Sequence, residues 1–412
     1  MNIKRLQITC LRVFEHAEFE FGPGMNLLVG VNGVGKSTVL DALRICLSKY
    51  LLDLNSVSTP WLSFAQDDIR ATSRSLMVKV FFEANDCNFE CHVHKQREAY
   101  VAHKPGSVRE QTLATPETFG LTLLDGKRKP NEEPYLALFF STRRSLVSEP
   151  KSRSAKAAGG LSGALAYALH GGELKLAEVA FWMRAQEEIA GERPLARKHV
   201  AALRRAVARF LPEFKNLRAQ TSPRPTLFLE KNRIALDVRQ LSEGERGLLA
   251  IVLDIARRLS QANPSLADPI KQGKAVVLID ELDLHLHPKW QRSIVEQLTR
   301  TFPRCQFIAT THSPQIVAAV EPEQVLLLTD TGVVRPDRTL GMDSNWILRH
   351  LMQADDRPVR AGQAIRGVEA LIKKGTFIRA RKVIAEAKEK GLDLPEWSVL
   401  EARMARLEVL SK

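Results

Sequence analysis

No run of apolar residues in this chain is long enough to cross a membrane. The longest, residues 247–256 and Ala275–Ile279, fall far short of the roughly 20 that a spanning helix needs, and the first holds Asp254. The opening residues run straight into polar–apolar alternation, without the apolar stretch of a secretory signal. Cysteine is scarce and odd in number, five in 412 residues, which excludes a disulfide framework and leads to a reducing compartment. No repeat of solenoid length recurs. These absences set aside membrane spans, stapled secreted domains and repeat scaffolds, and a cytoplasmic location without a membrane partner is expected. Acidic residues are outnumbered, 47 against 60 basic ones, for a net charge of +13. That balance suits nucleic acid, an anionic surface or an acidic protein, and it selects none of them.

The 44% hydrophobic content is ample for one large or two ordinary domains. Residues 3–20 alternate as two strands, a turn follows at Gly22, Pro23 and Gly24, and Met25–Val29 is a short buried strand. Leu40, Leu43 and Leu47 mark a helix, and strand-like runs lie at 76–82, 88–102 and 136–140. Residues 151–160 are small, basic and turn-rich, a mobile connection, and 161–211 read as helical. On the last of these helices Arg197, Lys198, Arg204, Arg205 and Arg209 share one face, a candidate nucleic-acid contact. Strands resume at 226–229 and 234–238. A helix at 241–259, a strand at Ala275–Ile279, a helix at 288–301, a strand at 306–310 and a hairpin at 325–334 follow. Residues 361–412 give three short helices with one apolar face each. They are expected to lean on the rest of the chain or on another protein.

Two groups of possible metal ligands fail on geometry. Cys87, Cys91, His92 and His94 lie close in sequence, but on a strand the cysteines face one side and the histidines the other. His285 and His287 read better as parts of a loop than as ligands.

Residues 30–37, Gly-Val-Asn-Gly-Val-Gly-Lys-Ser, match G-x-x-x-x-G-K-[ST], with Thr38 next. They stand between a predicted strand and a predicted helix. Here glycines allow backbone N–H groups to wrap a phosphate, Lys36 reaches the terminal phosphates and Ser37 holds Mg²⁺. A second acidic element, Asp280 and Glu281, closes the apolar strand Ala275–Ile279. Asp280 is placed for the metal and Glu281 for polarising the attacking water. Ser242 with Glu245 forms an S-x-x-E capping box that starts a helix. Thr311-His312-Ser313 ends the strand at 306–310, where a histidine can sense the γ-phosphate.

In this order the four elements resemble the ABC-type ATPases of SMC, Rad50, RecF and the overcoming-lysogenization-defect nucleases. Residues 30–38 are similar to Walker A, 241–245 to the signature and 276–281 to Walker B. Asp283 falls at the D-loop and His312 at the switch histidine. The stretch 279–314 looks most like stand-alone ATPases of anti-phage defence and retron systems, the Septu type above all, which acts with an HNH nuclease. That resemblance implies an α/β fold, a P-loop mixed sheet with an antiparallel β subdomain, a helical insertion and a small helical C-terminal region. Its parts fall at 1–147 and 226–335 for the head, 148–225 for the insertion and 336–412 for the C-terminal helices.

The resemblance also implies ATP and Mg²⁺ as cofactors. Asn32, Gly33, Gly35, Lys36, Ser37, Thr38, Ser242 and Gly244 hold the nucleotide, Ser37 and Asp280 the metal, and Glu281 and His312 carry catalysis. Ser242 and Gly244 act on the nucleotide of the opposite subunit, so a homodimer with ATP sandwiched between heads is expected, open to higher assembly. Sequence departs from the wider class in places. The signature reads Ser-Glu-Gly-Glu, no coiled-coil arm separates Ser37 from Leu241, and no nuclease constellation follows His312. The counterpart of the Q-loop is expected near 141–144 rather than at Gln66. A nucleotide-gated head governing an effector nuclease of HNH type is the leading expectation. A RecF- or Rad50-like repair ATPase acting directly on DNA is the alternative.

Overall fold

The computed structural model describes residues 1–55, 61–97, 99–100, 112–113, 117–125, 135–147, 160–173, 175–354 and 359–410. Except for Gly160, the basic connection read at 151–160 lies outside them. Two compact units emerge, Met1–Ser344 and Asn345–Lys412. No helix among the described residues is long and apolar enough to cross a membrane.

The centre of the first unit is a six-stranded mixed sheet. Its order is Gly332–Val334, Val325–Thr329, Met25–Val29, Cys305–Thr310, Ala275–Ile279 and Ala137–Phe140. All pairs are parallel except the hairpin at the edge. Every residue of Met25–Val29, Ala275–Ile279 and Cys305–Thr310 is buried, as expected where both faces of a parallel sheet are covered. Register sets Ile279 beside Ala309 and Phe140, and Thr310 beside Leu28. The loops after three neighbouring strands therefore leave the sheet at one end, and the phosphate-loop motif and the acidic pair both sit there.

A second sheet is antiparallel, in the order Phe14–Glu20, Asn2–Leu11, Ser75–Ala84, Cys87–Gln96, Thr118–Asp125. Strict alternation of buried and half-buried residues along Ser75–Ala84 fits a sheet with one face in the core. Cys87 and Cys91 point into that core and His92 and His94 away from it, on opposite faces. The fold is thus α/β, a mixed sheet that carries the phosphate-loop motif, with an antiparallel β subdomain. Helices Gly160–Leu165, Leu176–Glu188 and Pro194–Phe210 pack with Glu243–Ala262, which is buried almost continuously from Gly247 onward.

Three details differ from the periodicity. Phe214–Gln220, within the stretch 148–225, is a strand that pairs with Thr226–Lys231 across residue 225. A bulge with Asn216 at φ 52° puts Phe214 and Leu217 on the same buried side, so the period of two is lost. Thr118–Asp125 is an edge strand whose Leu123 and Leu124 are exposed, which leaves no alternation to read. The helix at 288–301 is two, Pro288–Gln291 and Ile294–Thr301, interrupted at Ser293.

In the second unit the helices Val359–Lys373, Phe377–Glu389 and Glu396–Leu410 bury their apolar faces on one another. Val368, Ile372, Ala380, Ile384, Trp397 and Met404 form the centre, and the Trp397 indole donates to the Leu392 carbonyl at 2.7 Å. The three helices thus give each other a core.

Candidate nucleotide site

The phosphate loop leaves Met25–Val29 and enters the helix Lys36–Asn55, so backbone N–H groups at a helix start face the open end of the sheet. Its shape depends on missing side chains. Gly35 has φ 106°, and a Cβ there would lie 2.5 Å from the Phe14 ring; one at Gly30 would lie 2.6 Å from the Leu328 carbonyl oxygen. Gly33 takes φ 83° in open space, and Asn32 is exposed beside it. Lys36 is buried and donates to the Gly30 and Val31 carbonyls at 2.8 and 2.9 Å. Burial lowers its pKa, while Asp280, Glu281 and Asp283 work against that. Among the described residues, carbonyls are the partners of this ammonium and no carboxylate bonds it directly.

Ser37 and Asp280 meet across the sheet. The Ser37 hydroxyl donates to the two Asp280 carboxylate oxygens at 3.1 and 3.3 Å. A hydroxyl oxygen and a carboxylate at this spacing are the hard oxygen donors that Mg²⁺ takes when it retains several waters. Together with a glycine cradle and a buried lysine, the donor set fits a magnesium nucleotide. Thr38 is buried, and Arg12 stands 3.5 Å from its hydroxyl. The same Arg12 pairs with Asp41 and Asp68 at 2.7 and 2.8 Å. Burial pulls its pKa down, but the two carboxylates outweigh this and raise it.

Thr310, at the end of the neighbouring strand, fixes the acidic pair from one side. Its hydroxyl donates to Asp280 Oδ1 and accepts from the Glu281 amide, both at 2.7 Å. Glu281 adopts φ 48°, a left-handed conformation that costs a residue with a Cβ on the order of 1 kcal/mol. Asp283 accepts from the Thr311 hydroxyl at 2.7 Å and the His312 amide at 3.0 Å. His312 is exposed, and its main chain is locked to the Asp283 carboxylate.

Ser242 and Gly244 stand apart from this cluster. Ser242 is exposed at the N-cap of Glu243–Ala262, and the capping box with Glu245 is complete. Gly244 presses on the turn that carries Asp283, since a Cβ there would lie 2.3 Å from the His285 carbonyl oxygen. His285, at φ 60°, pairs its ring with Glu243 at 3.3 Å. His287 caps Pro288–Gln291, and Gln291 joins the Leu286 carbonyl to the Ser313 hydroxyl. The histidines and the glutamine of this motif therefore shape the turn between the acidic strand and its helix.

Sequence reasoning assigned no role to Thr310 or Thr311, and it placed Arg144 only within the stretch 141–144 expected to hold the counterpart of the Q-loop. Hydroxyls immediately before His312 were the available signal for the first two. Gln66 lies in the short helix Gln66–Asp68, two residues from the Asp68 that Arg12 binds. Three of the five basic residues proposed to contact nucleic acid have partners within the chain. Arg204 bonds Glu187 and the Leu217 carbonyl, Arg205 reaches Asp268, and Arg209 donates to the Arg300 carbonyl.

In fold, motif order and site geometry the chain resembles an ABC-type ATPase head of the SMC, Rad50 and RecF kind, and two family models match parts of it. The family described as "AAA domain, putative AbiEii toxin, Type IV TA system" matches residues 124–318, and a second, described as "AAA domain", matches residues 5–128. Among named proteins it is similar to the Retron Ec83 probable ATPase of Escherichia coli, 44% identical over 37% of this chain and 28% of that protein. It is 26% identical to the Retron Vc95 probable ATPase of Vibrio cholerae serotype O1 biovar El Tor, over 74% of this chain and 68% of that protein. Septu protein PtuA of Bacillus mycoides (strain KBAB4) is 34% identical over 23% of this chain and 12% of its own length. The chain thus spans little more than a quarter of the first of these relatives.

Proposed function

We propose that the chain binds and hydrolyses magnesium ATP in heads that pair across two nucleotides, and that pairing governs an effector nuclease, of HNH type, in anti-phage defence. The contact of Ser37 with Asp280, beside Lys36 and Glu281, is the observation that carries this reading. ATP supplies the phosphoanhydride to be broken, and magnesium neutralises charge on its phosphates. Lys36 turns from the Gly30 and Val31 carbonyls to the terminal phosphates. Ser37 and Asp280 hold the metal, with Thr310 keeping the Asp280 carboxylate in place. Glu281 accepts the proton of the attacking water. His312, carried on the D-loop acid Asp283, senses the terminal phosphate. Ser242, exposed at its helix start, and Gly244, buried two residues further on, serve the nucleotide of a second copy.

Retron and Septu relatives support the defence role, and the effector is drawn from the Septu resemblance. Two variants test the ATPase reading together. Lys36→Ala loses nucleotide binding while the fold persists. Glu281→Gln keeps ATP and loses turnover by about 100-fold or more. Bound nucleotide and phosphate release measure both. Undiminished turnover in the two variants ends the assignment.

A further inference from the structure

Arg144 follows the strand Ala137–Phe140, the sheet neighbour of the acidic strand, and its side chain is 3% exposed. It donates from Nη1 to the Asp280 carbonyl at 2.7 Å and from Nη2 to the Glu281 carbonyl at 2.6 Å, with the Ser141 carbonyl at 3.1 Å. No carboxylate oxygen takes part in these bonds. A buried guanidinium spent on three main-chain carbonyls is an unusual expense, because the charge must be desolvated. Asp280, Glu281 and Asp283 supply its compensating field from nearby. The two residues it grips are the two proposed to act on metal and water, and Glu281 is the one in the left-handed conformation. Thr310 holds the Glu281 amide from the other side. Peptide groups on both sides of Glu281 are therefore fixed.

The turn that carries Arg144 has three further attachments. Arg246, on the helix that starts at Ser242, donates from Nε to the Ser145 carbonyl at 3.1 Å, and from Nη1 to the Leu241 carbonyl at 3.0 Å. The Ser141 hydroxyl donates to the Gly171 carbonyl at 2.5 Å, and Arg143 pairs with Glu173 at 2.9 Å. A single turn thus touches the acidic pair, the signature helix and the helical insertion.

We infer that Arg144 is a positioning residue: its fork holds the Asp280–Glu281 main chain so that the Glu281 carboxylate is set for hydrolysis, and Arg246 ties this setting to the place of the signature helix. The inference rests on the proposed role of Glu281, but its first measurement does not depend on turnover. Lysine cannot replace the fork, since one ammonium lacks the planar pair of donors that reaches two successive carbonyls.

Three readings on the full-length chain test it, with Arg144→Lys beside Arg144→Ala to cover loss of fold. Hydrogen exchange of the amides at 280–286 rises by about tenfold or more in both variants, while those of Met25–Val29 stay protected. Turnover falls by about 100-fold with KM changed by no more than about threefold. Adding Arg144→Lys to Glu281→Gln lowers turnover by less than about twofold, because the arginine acts through the glutamate. Unchanged exchange at 280–286, or full additivity in the double variant, overturns the inference. If the unaltered chain shows no turnover, hydrolysis fails as a reading and the exchange result alone decides the role of Arg144.

Discussion

Gly35 and Gly244 show how a single missing Cβ fixes each half of the site. Both positions were legible in the sequence as motif residues, but their neighbours were not: Phe14 lies over Gly35, and the His285 carbonyl over Gly244. At the second turn-forming position of Glu243–Ala262, alanine would ordinarily favour the helix by up to about 1 kcal/mol. Here its Cβ would sit 2.3 Å from a main-chain oxygen, so the sign reverses. Gly244→Ala is expected to destabilise the chain by about 1–3 kcal/mol and to slow turnover while one head still binds ATP. Gly35→Ala, with φ 106° and the Phe14 ring 2.5 Å away, is expected to lose ATP itself. Thermal unfolding and nucleotide titration separate the two. Equal binding and equal stability in both variants would mean that neither contact matters. The bonds of Arg144, within the stretch 141–144 that the sequence did single out, escaped it for a related reason: a buried arginine that bonds carbonyls 136 and 137 positions away leaves no local pattern.

The helix Glu243–Ala262 packs with Gly160–Leu165, Leu176–Glu188 and Pro194–Phe210. Its start is the exposed Ser242, and farther along Asp254 pairs with Arg257 and Arg258 at 2.6 and 2.7 Å. Arg257 reaches Glu178 on Leu176–Glu188 at 3.3 Å, and Arg258 donates to the Ala166 carbonyl at 3.1 Å. Burial acts to raise the Asp254 pKa; Arg258 and Arg257 overcome it and bring it down to about 2. Its folded value lies below the ordinary 3.8, so this carboxylate stabilises the fold above that pH, and the contribution is lost as pH falls through about 2. Asp254→Asn is expected to cost about 3 kcal/mol near neutrality by leaving two buried guanidinium groups short of an anion. The variant is also expected to lose about 2 kcal/mol less than the parent between pH 4 and 2. Denaturant unfolding across that range checks both, and parallel stability curves would refute the pairing. At this scale the sequence was most readable where burial is continuous, as in Ala275–Ile279, and where alternation is strict, as in Ser75–Ala84. It was least readable at Phe214–Gln220 and Thr118–Asp125, where a bulge and an exposed edge erase the period.

For the whole molecule, motif order along the chain carried the class of fold, because four elements far apart in sequence must converge on one sheet end to make sense. Three of them do so within one chain: Lys36 and Ser37, Asp280 and Glu281, and His312 through Asp283. The fourth, Ser242, is exposed and bonded to its own Glu245, and the proposed partner for it is the nucleotide of a second head. The C-terminal helices were read correctly as three, and their apolar faces meet in a shared core. ATP-driven pairing is the central claim, and the mass of the particle in solution tests it most directly. With saturating ATP and Mg²⁺, Glu281→Gln is expected to double from the 46.1 kDa of one chain by light scattering, whereas the same chain with Ser242→Arg added stays at 46.1 kDa while still binding ATP. A Glu281→Gln chain that holds ATP and remains single, or a Ser242→Arg chain that pairs as readily, would contradict the account.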